Sequence, residues 1–122
     1  MIWQSAEPST VERLRWQVRS SYLMLDLIHR AQRSHLPPVC WTIGNTAATL
    51  LIRCYTRAEW TVWVQATGVD QVWPEREHGG CLHLHAVGRV RARDGGTVQV
   101  GVIADLTEDD DPMPAGAFPR AS

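Results

Sequence analysis

Apolar residues recur every three or four positions near the start of the chain. Val11, Leu14, Val18, Tyr22, Leu25 and Ile28 fall on one face of a helix. Leu23, Met24, Leu27 and Ala31 widen that face to more than half the circumference in its second part. Ser9 and Glu12 have capping-box spacing, in which the hydroxyl accepts from the Glu12 N–H while the carboxylate reaches back. Leu36-Pro37-Pro38 ends the helix, because proline lacks the N–H and forces its predecessor out of the helical region. The predicted helix covers about residues 10–34.

The pattern then changes to period two. Val39–Ile43 is rich in β-branched and aromatic residues, Gly44-Asn45-Thr46 is turn chemistry, and Thr49–Tyr55 reads as the returning strand. Thr56-Arg57-Ala58-Glu59 is a second capping box. It opens a shorter helix with Trp60, Trp63, Val64 and Thr67 on one side, and Gly68 suits its C-terminal cap. Val69–Gly80 reads as a polar connection holding Trp73-Pro74. The second hairpin has the cleanest alternation. Leu82, Leu84, Ala86, Gly88 and Val90 form one face, against Cys81, His83, His85, Val87, Arg89 and Arg91 on the other. After the Asp94-Gly95-Gly96 turn, Val98, Val100, Val102, Ala104 and Leu106 alternate with Thr97, Gln99, Gly101, Ile103 and Asp105. The predicted fold is therefore α+β, a two-layer sandwich of order α-β-β-α-β-β. Its four-stranded, mainly antiparallel sheet carries both helices on one face and leaves the other open.

A length of 122 residues suits one domain, since domains most often run about 100–150 residues. We place it at 9–106, after an N-terminal extension (1–8) and before an acidic, Pro-rich tail (107–122) expected to be flexible. Net charge is −1, against the basic excess of a general nucleic-acid binder. The charge is uneven: residues 1–60 hold seven Arg and four acids, residues 61–122 five Arg and nine acids. Met1–Ser9 has neither a basic start nor an apolar core, which predicts a cytoplasmic protein with reduced thiols. The stretch Tyr22–Ile28, interrupted by Asp26, is too short to cross a bilayer. Cys40 and Cys54 are expected to be buried in paired strands.

Leu36-Pro37-Pro38, Trp41-Thr42, Trp60, Trp63 and the hairpin from His83-Leu84 through Val98-Gln99-Val100 carry a family likeness. Over about residues 10–105 the chain resembles short, single-domain open reading frames of actinobacterial genomes and mobile elements. These share the leading helix, the Trp-bearing second helix and the closing hairpin. No activity attaches to that group, so the resemblance carries over no functional residue.

Three groups of residues hold candidate chemistry. Cys81, His83 and His85 share one strand face, with i, i+2 spacing of roughly 6–7 Å, and thiolate and imidazole are zinc ligands. His78 and Glu77 just upstream are further donors. This strand already has a complete apolar face, so its folding requires no metal, and no cofactor is expected. The open sheet face carries Leu51, Arg53, Tyr55, Val87, Arg89 and Ile103, an apolar and cationic mixture that suits a protein partner or a second copy of the chain. A nucleic-acid surface is the alternative, using Arg13, Arg15 and Arg19 on the first helix, or Arg53, Arg89 and Arg91 on the sheet. No Ser lies in a G-x-S-x-G elbow, and neither Gly79-Gly80 nor Gly95-Gly96 opens a helix as a phosphate loop does. The reading is a non-enzymatic interaction or regulatory module, with nucleic-acid binding second and a small metal-dependent enzyme third.

Overall fold

A computed structural model describes residues 7–107. The expected extension and acidic tail lie almost wholly outside the described residues. Helix α1 spans Thr10–Ser34, with Ser9 accepting from the Glu12 N–H. It ends at His35, whose φ of 55° is left-handed, and Pro37 and Pro38 follow. Strands β1 (Cys40–Ile43) and β2 (Thr49–Cys54) form the first hairpin. Helix α2 (Arg57–Thr67) is capped by Thr56 and by Gly68 at φ 72°.

The expected α+β architecture holds, but the sheet is larger and mixed. Two short strands, β3 (Gln71–Val72) and β4 (Arg76–His78), arise in the stretch read as a polar connection. Both pair antiparallel with β5 (Cys81–Arg91), which pairs in turn with β6 (Thr97–Leu106). The sheet has six strands in the order β1-β2-β6-β5-β3, with β4 also on β5. The expected number of four strands is corrected to six; the pairing is mainly antiparallel, with one parallel pair at the centre of the sheet, between β2 and β6. The reason is topological. Helix α2 carries the chain across the sheet, and it is the second strand of the closing hairpin that docks against β2.

One face of this sheet is dry. Leu50, Ile52, Cys54, Leu84, Ala86, Val98, Val100, Val102, Ala104 and Leu106 are buried in one cluster with Trp63 of α2 and Leu23 and Leu27 of α1. The Trp63 indole donates to Pro37 O at 2.9 Å and meets Trp41 edge-on at 5.2 Å. Trp60 donates to Val102 O at 2.9 Å, which ties α2 to the central strand.

Helix α1 turns differently from what its longest apolar repeat suggests. The stripe packed on the sheet is Ser20, Leu23, Met24, Leu27 and Ala31. Val11, Leu14, Val18, Tyr22 and Leu25 lie on the opposite side, between 40% and 65% exposed. Ser20 is fully buried and its hydroxyl has no partner among the described residues. A buried, unpaired polar group costs about 1–3 kcal/mol, and alanine is also the better helix former. Ser20→Ala is expected to raise folding free energy by about 1 kcal/mol. A urea melt checks this, and an unchanged or lower midpoint refutes it.

Candidate functional site

The outer face of the sheet is built by alternation and register. Turning β5 and β6 so that their valines, alanines and leucines face the helices puts every intervening residue outside. Register then sets the neighbours. Leu51, Gly101 and Val87 form one row across β2, β6 and β5, and Arg53, Ile103 and His85 form the next. Asp105 lies opposite His83, and Arg89 opposite Gln99.

Because Gly101 has no side chain, the first row sinks into a depression of about 320 Å³. Leu51 and Val87 wall it, and Thr42, Thr49, Gln99 and His85 supply polar edges. A Cβ on Gly101 would lie 3.2 Å from the Leu51 Cδ1 and 3.7 Å from the His85 Nε2. Leu51, Val87 and Ile103 are each half-buried on this face. Tyr55 stands beyond the end of β2 and is exposed.

At the other end lies a polar cluster. The Nδ1–H of His83 donates to Asp105 Oδ1 at 2.6 Å, and Arg53 Nη2 donates to Asp105 Oδ2 at 2.8 Å. The His83 bond chiefly, aided by Arg53 and opposed by partial burial, holds the Asp105 carboxyl below its ordinary range. Cys81 completes the group: one donor atom each from Cys81, His83 and Asp105 lies within 4.8 Å of the other two.

His85 does not join Cys81 and His83, although all three share a strand face. The Trp73 ring lies against the His85 ring with centroids 4.6 Å apart and planes tilted by 37°, and the Trp73 backbone N–H donates to His85 O at 2.9 Å. The imidazole is claimed by an aromatic from the connection, and Asp105 takes its place beside His83. Sequence reasoning gave Asp105 no role. The signal was present, since a hairpin closing at Asp94-Gly95-Gly96 brings Asp105 opposite His83 once its register is counted out from the turn.

The cysteines divide two ways. Cys54 is buried as expected, and burial together with the Glu59 carboxylate pushes its thiol up to about 12. Cys40, expected to be buried, is exposed, because edge strand β1 turns its Trp41 and Ile43 to the core instead.

The arginines fall in two places. Arg13 donates to Asn45 O at 2.8 Å and Arg19 to Asp94 Oδ2 at 3.0 Å, so both tie α1 to loops of the sheet. Arg15 is on the same helix, whereas Arg53, Arg89 and Arg91 stand on the outer sheet face, across the sheet from both helices. The structure does not gather the two sets into one cationic surface. Among the described residues no helix is long and apolar enough to cross a membrane. Set against known protein-family models, curated proteins and solved structures, the chain matches none of them.

Proposed function

We propose that the protein is a non-enzymatic interaction module of accessory or regulatory type that pairs with a second copy of itself. The observation that carries this reading is the outer stripe of α1. Val11, Leu14, Val18, Tyr22 and Leu25 follow three- and four-residue steps, the spacing of a helix that packs along another helix. The stripe is about 22 Å long, and its side chains are exposed where Leu51, Val87 and Ile103 on the sheet are half-buried. Fully burying one such side chain contributes about 1.5–3 kcal/mol, so a helix with apolar stripes on two opposite sides gains by covering both. An antiparallel pair centred on Val18 lays the two stripes over each other along their whole length, with Val11 opposite Leu25 and Leu14 opposite Tyr22.

The expected result by light scattering at tens of micromolar is a dimer of the wild-type chain. Leu14→Glu with Val18→Glu yields a monomer of unchanged far-ultraviolet circular dichroism, whereas Val87→Glu stays dimeric. A wild type that remains monomeric at high micromolar concentration ends the reading. Dissociation by Val87→Glu alone moves the contact to the open sheet face, with Leu51, Arg53, Val87, Arg89 and Ile103 at its centre.

A further inference from the structure

We propose that Cys81, His83 and Asp105 form a zinc site on the outer face of the sheet, with His78 as the fourth donor. This does not rest on pairing through α1. The donor set suits a borderline divalent cation: one thiolate, imidazole nitrogen and one carboxylate, all ligand types that zinc accepts. Thiolate and carboxylate together carry two negative charges and neutralise the ion, while the imidazoles enter uncharged. Tetrahedral zinc with bonds of about 2.0–2.3 Å sets its donor atoms roughly 3.3–3.8 Å apart. The three donor atoms here lie within 4.8 Å of one another. Closure breaks the 2.6 Å His83–Asp105 hydrogen bond: the imidazole passes to its Nε2–H tautomer so that Nδ1 can ligate, and Asp105 Oδ1 moves to ligand distance.

The backbone supports the same geometry. Gly79 and Gly80 have φ of 59° and 79°, the two successive left-handed residues of a tight two-residue hairpin turn. That turn fixes His78 directly opposite Cys81 and Arg76 opposite His83. Residues paired across strands share a face, with Cβ atoms about 4.5–5.5 Å apart. The His78 ring stands outside the three-donor group and joins it by rotating toward Cys81. Asp105 is oriented from behind. Arg53 holds its Oδ2 at 2.8 Å and leaves Oδ1 toward His83, the kind of outer support that ligating carboxylates usually have. Binding would release the Cys81 thiol proton to solvent as the zinc–sulfur bond forms.

The full-length chain, stripped with a chelator, is titrated with cobalt(II) and then with zinc. The expected result is a thiolate-to-cobalt charge-transfer band saturating at one equivalent and bleached by zinc. Cys81→Ser abolishes the band, and Cys40→Ser leaves it intact. His83→Ala and Asp105→Asn each weaken binding at least about tenfold, the lower end of what even outer partners of a metal site cost. His78→Ala also weakens it, while His85→Ala leaves the affinity unchanged. Circular dichroism confirms that each variant is folded. No band in the wild type overturns the proposal, as does a band that survives Cys81→Ser. Equal losses from His85→Ala and His83→Ala overturn it too.

Discussion

Trp63→Ala is expected to lower folding free energy by about 3–5 kcal/mol, the range for truncating a buried large aromatic. Domains of this size are commonly stable by only about 5–15 kcal/mol, so the variant stands near unfolding at room temperature. Trp63 is fully buried and lies where α1 ends, α2 crosses and β1 begins. Three attachments fail together: the buried ring area, the edge-on contact with Trp41 at 5.2 Å, and the 2.9 Å hydrogen bond to Pro37 O. The surroundings cannot close the gap easily. Trp63 already borders a cleft of about 270 Å³ between Ile28, Leu36, Pro37, Pro38 and Val39, and two successive prolines stiffen that wall. Trp63→Phe separates the contributions. It keeps most of the ring and strands the Pro37 carbonyl, for an expected loss of about 1–3 kcal/mol. Urea melts at constant slope measure both. A Trp63→Ala cost below about 1 kcal/mol would contradict this account of the core.

Gly88→Val is the second large effect, expected at about 3 kcal/mol, the upper end for overpacking. A Cβ at Gly88 would lie 2.9 Å from the Val69 Cα, 3.1 Å from its Cβ and 3.2 Å from the Asp70 N. Two of these three atoms are main chain, which cannot swing aside as a side-chain tip does. The link from α2 to β3 crosses β5 at this glycine, and any larger residue must lift it. Because Gln71 pairs with Val87 and Trp73 lies against His85, the damage should spread along β3. Hydrogen exchange would then show lost protection at the Trp73 amide, which bonds to His85 O. Gly101→Ala provides the contrast. Its Cβ would meet two side-chain atoms, the movable Leu51 Cδ1 at 3.2 Å and the His85 Nε2 at an ordinary 3.7 Å, and would partly fill the depression, so its cost should be well below that of Gly88→Ala.

Local chemistry made much of the fold legible. Ser9, Thr56 and Gly68 marked helix ends within a residue of where the structure has them, and both hairpins lie on their predicted turns. Those features depend on neighbours within four residues. The outward turn of α1 was not legible, because its two apolar stripes compete. Which one packs is decided by the contour of a sheet assembled from residues up to Leu106. Strands β3 and β4 carry polar residues without alternation and exist because β5 offers them a long edge. In the candidate site, period two correctly put Cys81 and His83 on one face. Alternation alone could not reveal that Trp73, from a segment read as a plain connection, occupies His85.

The parallel pairing of β2 with β6 has a consequence for how the molecule is made. Thr49 and Gln99 are partners in the sheet but lie fifty residues apart in the chain, a separation that costs closure entropy before any contact rewards it. Strand β6 is the most deeply buried of the six, and it is also the last to leave the ribosome. Until Thr97–Leu106 has emerged, β1 and β2 can form only a two-stranded ribbon, too small to be stable by itself. Until then the inner edge of β2 therefore stays open to other chains. The sheet closes in one late step, when its central strand arrives between halves already waiting on either side.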